Sequence, residues 1–79
     1  MKVYGWQGWR TEAGPRMQTR EIVMARSMID VARIAGFRHP RQMFNLGETG
    51  NAGEIAKATT SPGTIFWCPL DQHPRDFKP

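Results

Sequence analysis

The chain has 79 residues, a single cysteine and a net charge of +4, which allows one small domain and excludes an internal disulfide framework. No run approaches the roughly 18 apolar residues of a membrane span, and Met1–Gly5 lacks the apolar stretch of a secretory leader, so the expectation is a cytoplasmic protein. The cysteine and the two histidines show no zinc-ligand spacing, and no cofactor is expected.

Lys2 to Trp9 reads as a strand, with Val3, Tyr4, Trp6 and Trp9 supplying β-prone bulk. Gly5 and Gly8 within it suggest an edge position or a close backbone approach. After a loop containing Gly14-Pro15, a second strand spans Gln18 to Arg26. Its alternation puts Arg20, Ile22, Met24 and Arg26 on one face and Glu21, Val23 and Ala25 on the other.

The period then changes. Ser27 with Asp30 three residues on is a helix start, Met28, Val31, Ala32 and Ala35 recur at helical spacing, and Gly36 suits a left-handed stop. Arg38-His39-Pro40-Arg41 is a polar connection, and Met43 to Glu48 reads as a third strand with Phe44 and Leu46 alternating against Asn45 and Gly47. Asn51 with Glu54 opens a second helix that stops at Ser61-Pro62-Gly63. Thr64 to Cys68, the most apolar run, reads as a central strand buried on both faces. The expected fold is an α+β domain over residues 1–70, in the order β-β-α-β-α-β. Right-handed crossovers would give a four-stranded mixed sheet with both short helices on one face. Residues 71–79 read as an extended or disordered tail with Phe77 as an anchor.

The charge is concentrated in one stretch. Seven of the eight arginines (Arg10, Arg16, Arg20, Arg26, Arg33, Arg38, Arg41) face only Glu12, Glu21 and Asp30, which leaves +4, while the rest of the chain is balanced. Forked, permanently charged guanidinium groups at this density point to binding. Tyr4, Trp6 and Trp9 join these arginines as candidate partner-binding residues, because aromatic rings interleaved with arginine suit stacking and phosphate contacts. The competing reading makes the tryptophans core and the arginines a solvated surface.

Catalysis has less support. His39 and His73 each precede a proline in a loop, and the carboxylates are scattered, so no catalytic residue is assigned and an enzyme is not expected. Gly47-Glu48-Thr49-Gly50-Asn51-Ala52-Gly53 runs from strand to helix like a phosphate loop, but it lacks the Gly-Lys-Ser/Thr ending and carries Glu48. A capped turn is the preferred reading. Cys68 reads as a small apolar residue at a strand end, against the alternative of a thiol joining two chains in a homodimer.

The segments Tyr4-Gly5-Trp6-Gln7-Gly8-Trp9-Arg10, Thr19-Arg20-Glu21-Ile22-Val23, Val31-Ala32-Arg33-Ile34-Ala35-Gly36, Phe44-Asn45-Leu46-Gly47-Glu48-Thr49-Gly50-Asn51 and Pro62-Gly63-Thr64-Ile65-Phe66-Trp67 span most of the chain. In this order they resemble short uncharacterised accessory proteins of tailed phages and mobile elements of GC-rich bacteria. None of these segments has an assigned activity, so no functional residue transfers. The resemblance implies a context: a non-enzymatic inhibitor of a host system, anti-CRISPR proteins among them, acting in the host cytoplasm. The expected partner is a host protein or nucleoprotein complex, such as a CRISPR surveillance complex, engaged through the arginine-rich face. The alternative is a nucleic-acid-binding regulatory protein in direct contact with nucleic acid. The third reading is an enzyme using the Gly47–Gly53 turn.

Overall fold

Strands β1 (Lys2–Arg10) and β2 (Met17–Ala25) form an antiparallel hairpin in which each β1 residue pairs with a β2 residue of opposite parity, from Lys2 against Ala25 to Arg10 against Met17. A computed structural model defines this architecture and describes residues 1–12, 14–72 and 76–79. Helix α1 (Met28–Ala35) follows, then a 3-10 turn (Pro40–Met43), strand β3 (Gly47–Glu48), helix α2 (Ala52–Thr59) and strand β4 (Phe66–Pro69). The element order is the expected β-β-α-β-α-β of an α+β domain.

Both helices start and stop where local chemistry dictates. Ser27 Oγ accepts the Asp30 N–H at 3.2 Å, and Asn51 Oδ1 accepts the Glu54 N–H at 3.0 Å. Each cap satisfies one of the amides left free by a helix start, a contribution of about 1 kcal/mol. Gly36 closes α1 with φ +73°, a conformation that costs a non-glycine residue about 1 kcal/mol or more.

The sheet order is β3-β1-β2-β4, and every neighbouring pair is antiparallel rather than mixed. Neither crossover returns beside the strand it left. The α1 connection skips over β1 to reach β3, and the α2 connection crosses the whole sheet to β4, so no two parallel strands become neighbours.

The helices lie on opposite faces, not on one. Val31 of α1 packs with Tyr4, Trp6, Val23, Ala25 and Leu46, flanked by Ile34, Ala35 and Phe37. Ala58 of α2 packs with Val3, Ile22, Phe66, Cys68 and Phe77 on the other side. The physical reason is in the central strands. Val3-Tyr4 and Ile22-Val23 are adjacent apolar pairs, so both faces of β1 and β2 need cover. Ile22 and Val23 are fully buried, each removing about 1.5–3 kcal/mol worth of apolar surface from water. The second face is thus closed by α2.

Two further expectations change. Met43 to Glu48 contributes only a two-residue strand, because Pro40 starts a 3-10 turn that takes in Met43, with Gln42 Oε1 accepting the His39 N–H at 2.9 Å. Phe44 is consequently exposed while Leu46 is buried. The apolar β4 is buried on both faces as expected, but it is last in the sheet order rather than central. Its outer side pairs with the chain end. Trp67 and Lys78 exchange N–H···O bonds of 2.8 and 2.9 Å, and Phe77 is buried beside Ile22, so the packed domain extends past residue 70.

Candidate functional site

The seven arginines do not form one face. Opposite parity across the hairpin sends Arg10 and Arg20 to opposite sides of the sheet, and each is held by a buried glutamate. Arg20 donates from Nε and Nη2 to Glu54 at 2.9 and 3.0 Å, in the fork geometry that makes Arg–carboxylate pairs strong. Thr49 Oγ1 adds a 2.6 Å bond to the same carboxylate. Burial works to raise the Glu54 pKa, but the bonds from Arg20 and Thr49 and the arginine charge outweigh it and hold the carboxyl below its ordinary range. Glu54 thus helps start α2 through its backbone, while its carboxylate fastens α2 to β2. The Gly47–Gly53 segment is a capped turn in which this carboxylate and Thr49 occupy the helix start.

On the α1 side Arg10 forks onto Glu21, both bonds 3.0 Å, and Thr19 Oγ1 donates to Glu21 at 2.7 Å. Arg10 also reaches Glu12 at 3.0 Å, and its guanidinium lies 4.6 Å from the Trp67 ring centre. Burial disfavours the Arg10 charge, yet its two glutamates raise its pKa above the ordinary value. The two β1 glycines explain themselves here. A Cβ on Gly5 would lie 2.7 Å from Arg20 Cζ, and one on Gly8 would lie 3.0 Å from Glu21 Oε2. Both mark close approach of side chains; Gly5 lies between β2 and β3, whereas Gly8 lies where β3 no longer pairs with β1.

Helix α1 covers only part of its face. Beyond it lies a groove of about 1080 Å³ that runs from the hairpin end to the 3-10 turn. Trp6, Trp9, Phe37 and Phe44 supply its aromatic surface, and Arg10, Arg16 and Arg41 its positive charge. Trp6 packs edge-on against Phe37, with ring centres 5.4 Å apart at 84°. Trp9 is 52% exposed and Phe44 90% exposed, the largest exposures among the aromatic residues. The Arg16 guanidinium stacks 4.3 Å from the Trp9 ring centre, a cation–π contact of about 0.5–1 kcal/mol at an exposed site. A cleft of about 480 Å³ continues the groove past Glu12 at the hairpin end.

Of the candidate residues, the groove gathers Trp6, Trp9, Arg10, Arg16 and Arg41. Tyr4 is core, packed with Val31. Arg20 is on the α2 side, Arg33 pairs with Asp30 at 3.7 Å on the exposed surface of α1, and Arg26 and Arg38 are exposed outside the groove lining. Sequence reasoning missed Phe37, Phe44 and the groove position of His39. The available signal was His39-Pro40 with Gln42 following, which is a turn start rather than a lead into a strand. Cys68 is buried against α2, where burial first and nearby Asp76 and Glu54 next push its thiol pKa up. His73 lies outside the described residues. Among the described residues, no helix is long and apolar enough to cross a membrane. No protein-family model matches the chain, and neither do curated proteins nor solved structures.

Proposed function

We propose that this chain is a non-enzymatic binding protein that docks a partner macromolecule in the groove between the β-hairpin and the 3-10 turn. One observation carries the reading: two strongly exposed aromatic residues, Trp9 and Phe44, line one groove with Arg16 and Arg41. Exposed aromatic and arginine side chains around a concavity are the residue types that dominate binding hot spots. A small domain gains nothing in stability from a phenylalanine left in water. In the context of the phage and mobile-element resemblance, the partner is a host complex in the cytoplasm and binding inhibits it.

Charge favours a protein surface over a nucleic-acid backbone. The groove and its cleft hold Arg10, Arg16 and Arg41 against Glu12 and Glu21, a net of one positive charge. A phosphate backbone needs several unpaired bases to release its counterions. The test is affinity capture from host cells with the wild-type chain and an Arg16→Glu, Arg41→Glu double variant. A partner retained by the wild type and lost by a folded double variant is expected; equal recovery rules the groove out. A gel shift that weakens steeply between two salt concentrations would instead assign nucleic acid.

A further inference from the structure

The sheet has one closed edge and one open edge. On the closed side, Lys78 pairs with Trp67 along the outer side of β4. On the open side, β3 pairs only with Tyr4 and Gly5, whereas β1 continues to Arg10. The Val3 carbonyl accepts the Thr49 N–H on that side at 2.9 Å, so the odd-numbered residues of β1 direct their backbone groups outward. The Gln7 N–H finds a substitute strand in the Asn45 side chain at 3.1 Å. Past it, no strand among the described residues pairs with the outer edge of β1.

Folded proteins normally blunt such an edge with lysine, proline or a covering segment. Here the open stretch is Gln7-Gly8-Trp9-Arg10, with the Trp9 ring exposed. The groove opens beside it. Gly8 carries no side chain, and the floor around it is formed by Glu21 and Thr19. A bulky residue on a neighbouring strand opposite Gly8 would find room there, as glycines in sheets are commonly covered from across the pair.

Building on the docking role of the groove, we infer that the open edge of β1 from Gln7 to Arg10 takes up an extended peptide of the partner protein as a fifth strand. Its apolar side chains meet Trp9, Phe37 and Phe44, and its carboxylates meet Arg16 and Arg41. Main-chain bonds to the Gln7 carbonyl and to the Trp9 N–H and carbonyl give affinity, and the flanking rings and arginines give selectivity. A second copy of this chain is a poorer occupant, because pairing two such edges brings two sets of Arg10, Arg16 and Arg41 together. A nucleic-acid strand would leave the outward backbone groups without their matching ladder.

The probe is a library of random linear decapeptides displayed on phage and selected on the immobilised full chain. Enrichment of peptides that combine acidic and apolar residues is expected, with loss of binding to the Arg16→Glu, Arg41→Glu variant. One enriched peptide is then synthesised with single N-methyl groups at each position in turn. Strand pairing predicts that affinity falls about tenfold at two positions spaced two residues apart and changes little elsewhere, since only the amides facing the Gln7 and Trp9 carbonyls donate to β1. Trp9→Pro should weaken binding beyond Trp9→Ala, because the Trp9 N–H points away from β2 and its removal spares the hairpin. Unchanged melting temperatures between these two variants check the fold.

Arginine-dependent binding that tolerates N-methylation throughout overturns the strand and leaves the docking groove standing. Failure to enrich any peptide over the arginine double variant overturns both. Concentration-dependent dimers in sedimentation, or salt-steep binding of a 20-nucleotide single strand without peptide enrichment, would also reject the inference in favour of those occupants.

Discussion

Arg20→Met isolates the interaction that fastens α2 to the sheet. The Glu54 side chain is 8% exposed and that of Arg20 28% exposed, with Nε–Oε2 at 2.9 Å. Removing the arginine leaves a nearly buried carboxylate with only Thr49 Oγ1 and the α2 start to stabilise it. A fully buried pair broken this way costs about 3–5 kcal/mol. The partial exposure of Arg20 lets water screen the site, which lowers the figure to about 2 kcal/mol. For a domain of this size that is roughly 8–16 °C in Tm. Glu54→Gln should cost less, since the freed guanidinium can turn to solvent. The double variant Arg20→Met, Glu54→Gln should be more stable than Arg20→Met alone.

The pH dependence tests the same logic. In the wild type the folded Glu54 pKa lies below its ordinary value, so the native state binds fewer protons than the unfolded chain in acid. Its contribution is therefore complete above the unfolded pKa, about 4.3, and is lost as pH falls through the folded value. In Arg20→Met burial acts without the arginine and raises the pKa, so that variant's deficit should shrink as pH falls toward 4. Thermal or urea unfolding between pH 3.5 and 7 reads both effects. A penalty under about 0.5 kcal/mol at pH 7, or strictly additive single variants, would refute the reasoning.

Gly5→Ala should destabilise by about 1–3 kcal/mol through overpacking against the fixed Arg20 guanidinium, and the penalty should shrink in the Arg20→Met background, as urea midpoints will show. Phe77→Ala should cost about 3–4 kcal/mol in the same assay, because its ring is core beside Ile22 and Phe66. Phe44→Ser should leave stability within about 0.5 kcal/mol, given 90% exposure, while reducing partner capture; normal capture would remove Phe44 from the binding surface.

Local features were legible residue by residue. Ser27, Gly36 and Asn51 mark helix ends through bonds that span only a few positions, and the chain alone contains both partners. The alternation along β2 correctly separates Arg20, Ile22 and Met24 from Glu21, Val23 and Ala25. The adjacent buried pairs Val3-Tyr4 and Ile22-Val23 also carried the evidence for a sheet covered on both sides, though the rule of right-handed crossovers drew the expectation toward a single covered face.

The candidate site was less legible. Whether Arg10 shares a face with Arg20 depends on the hairpin register, and a shift of one residue would bring them to the same side. Glu54 reads as a capping residue until β2 brings Arg20 to it from 34 positions away. Phe44 reads as a strand residue until the 3-10 turn leaves it in solvent.

By itself, then, the sequence determined a small α+β chain with two capped helices, two long amphipathic or two-sided strands, and a surplus of arginine in its first half. Those properties depend on short-range bonds and on the period of apolar residues. Only the tertiary structure decided the sheet order, the opposite placement of the helices and the division of the arginines between core ion pairs and an open groove. The reason is that register and layer order are chosen by long-range burial, which no window of the chain contains.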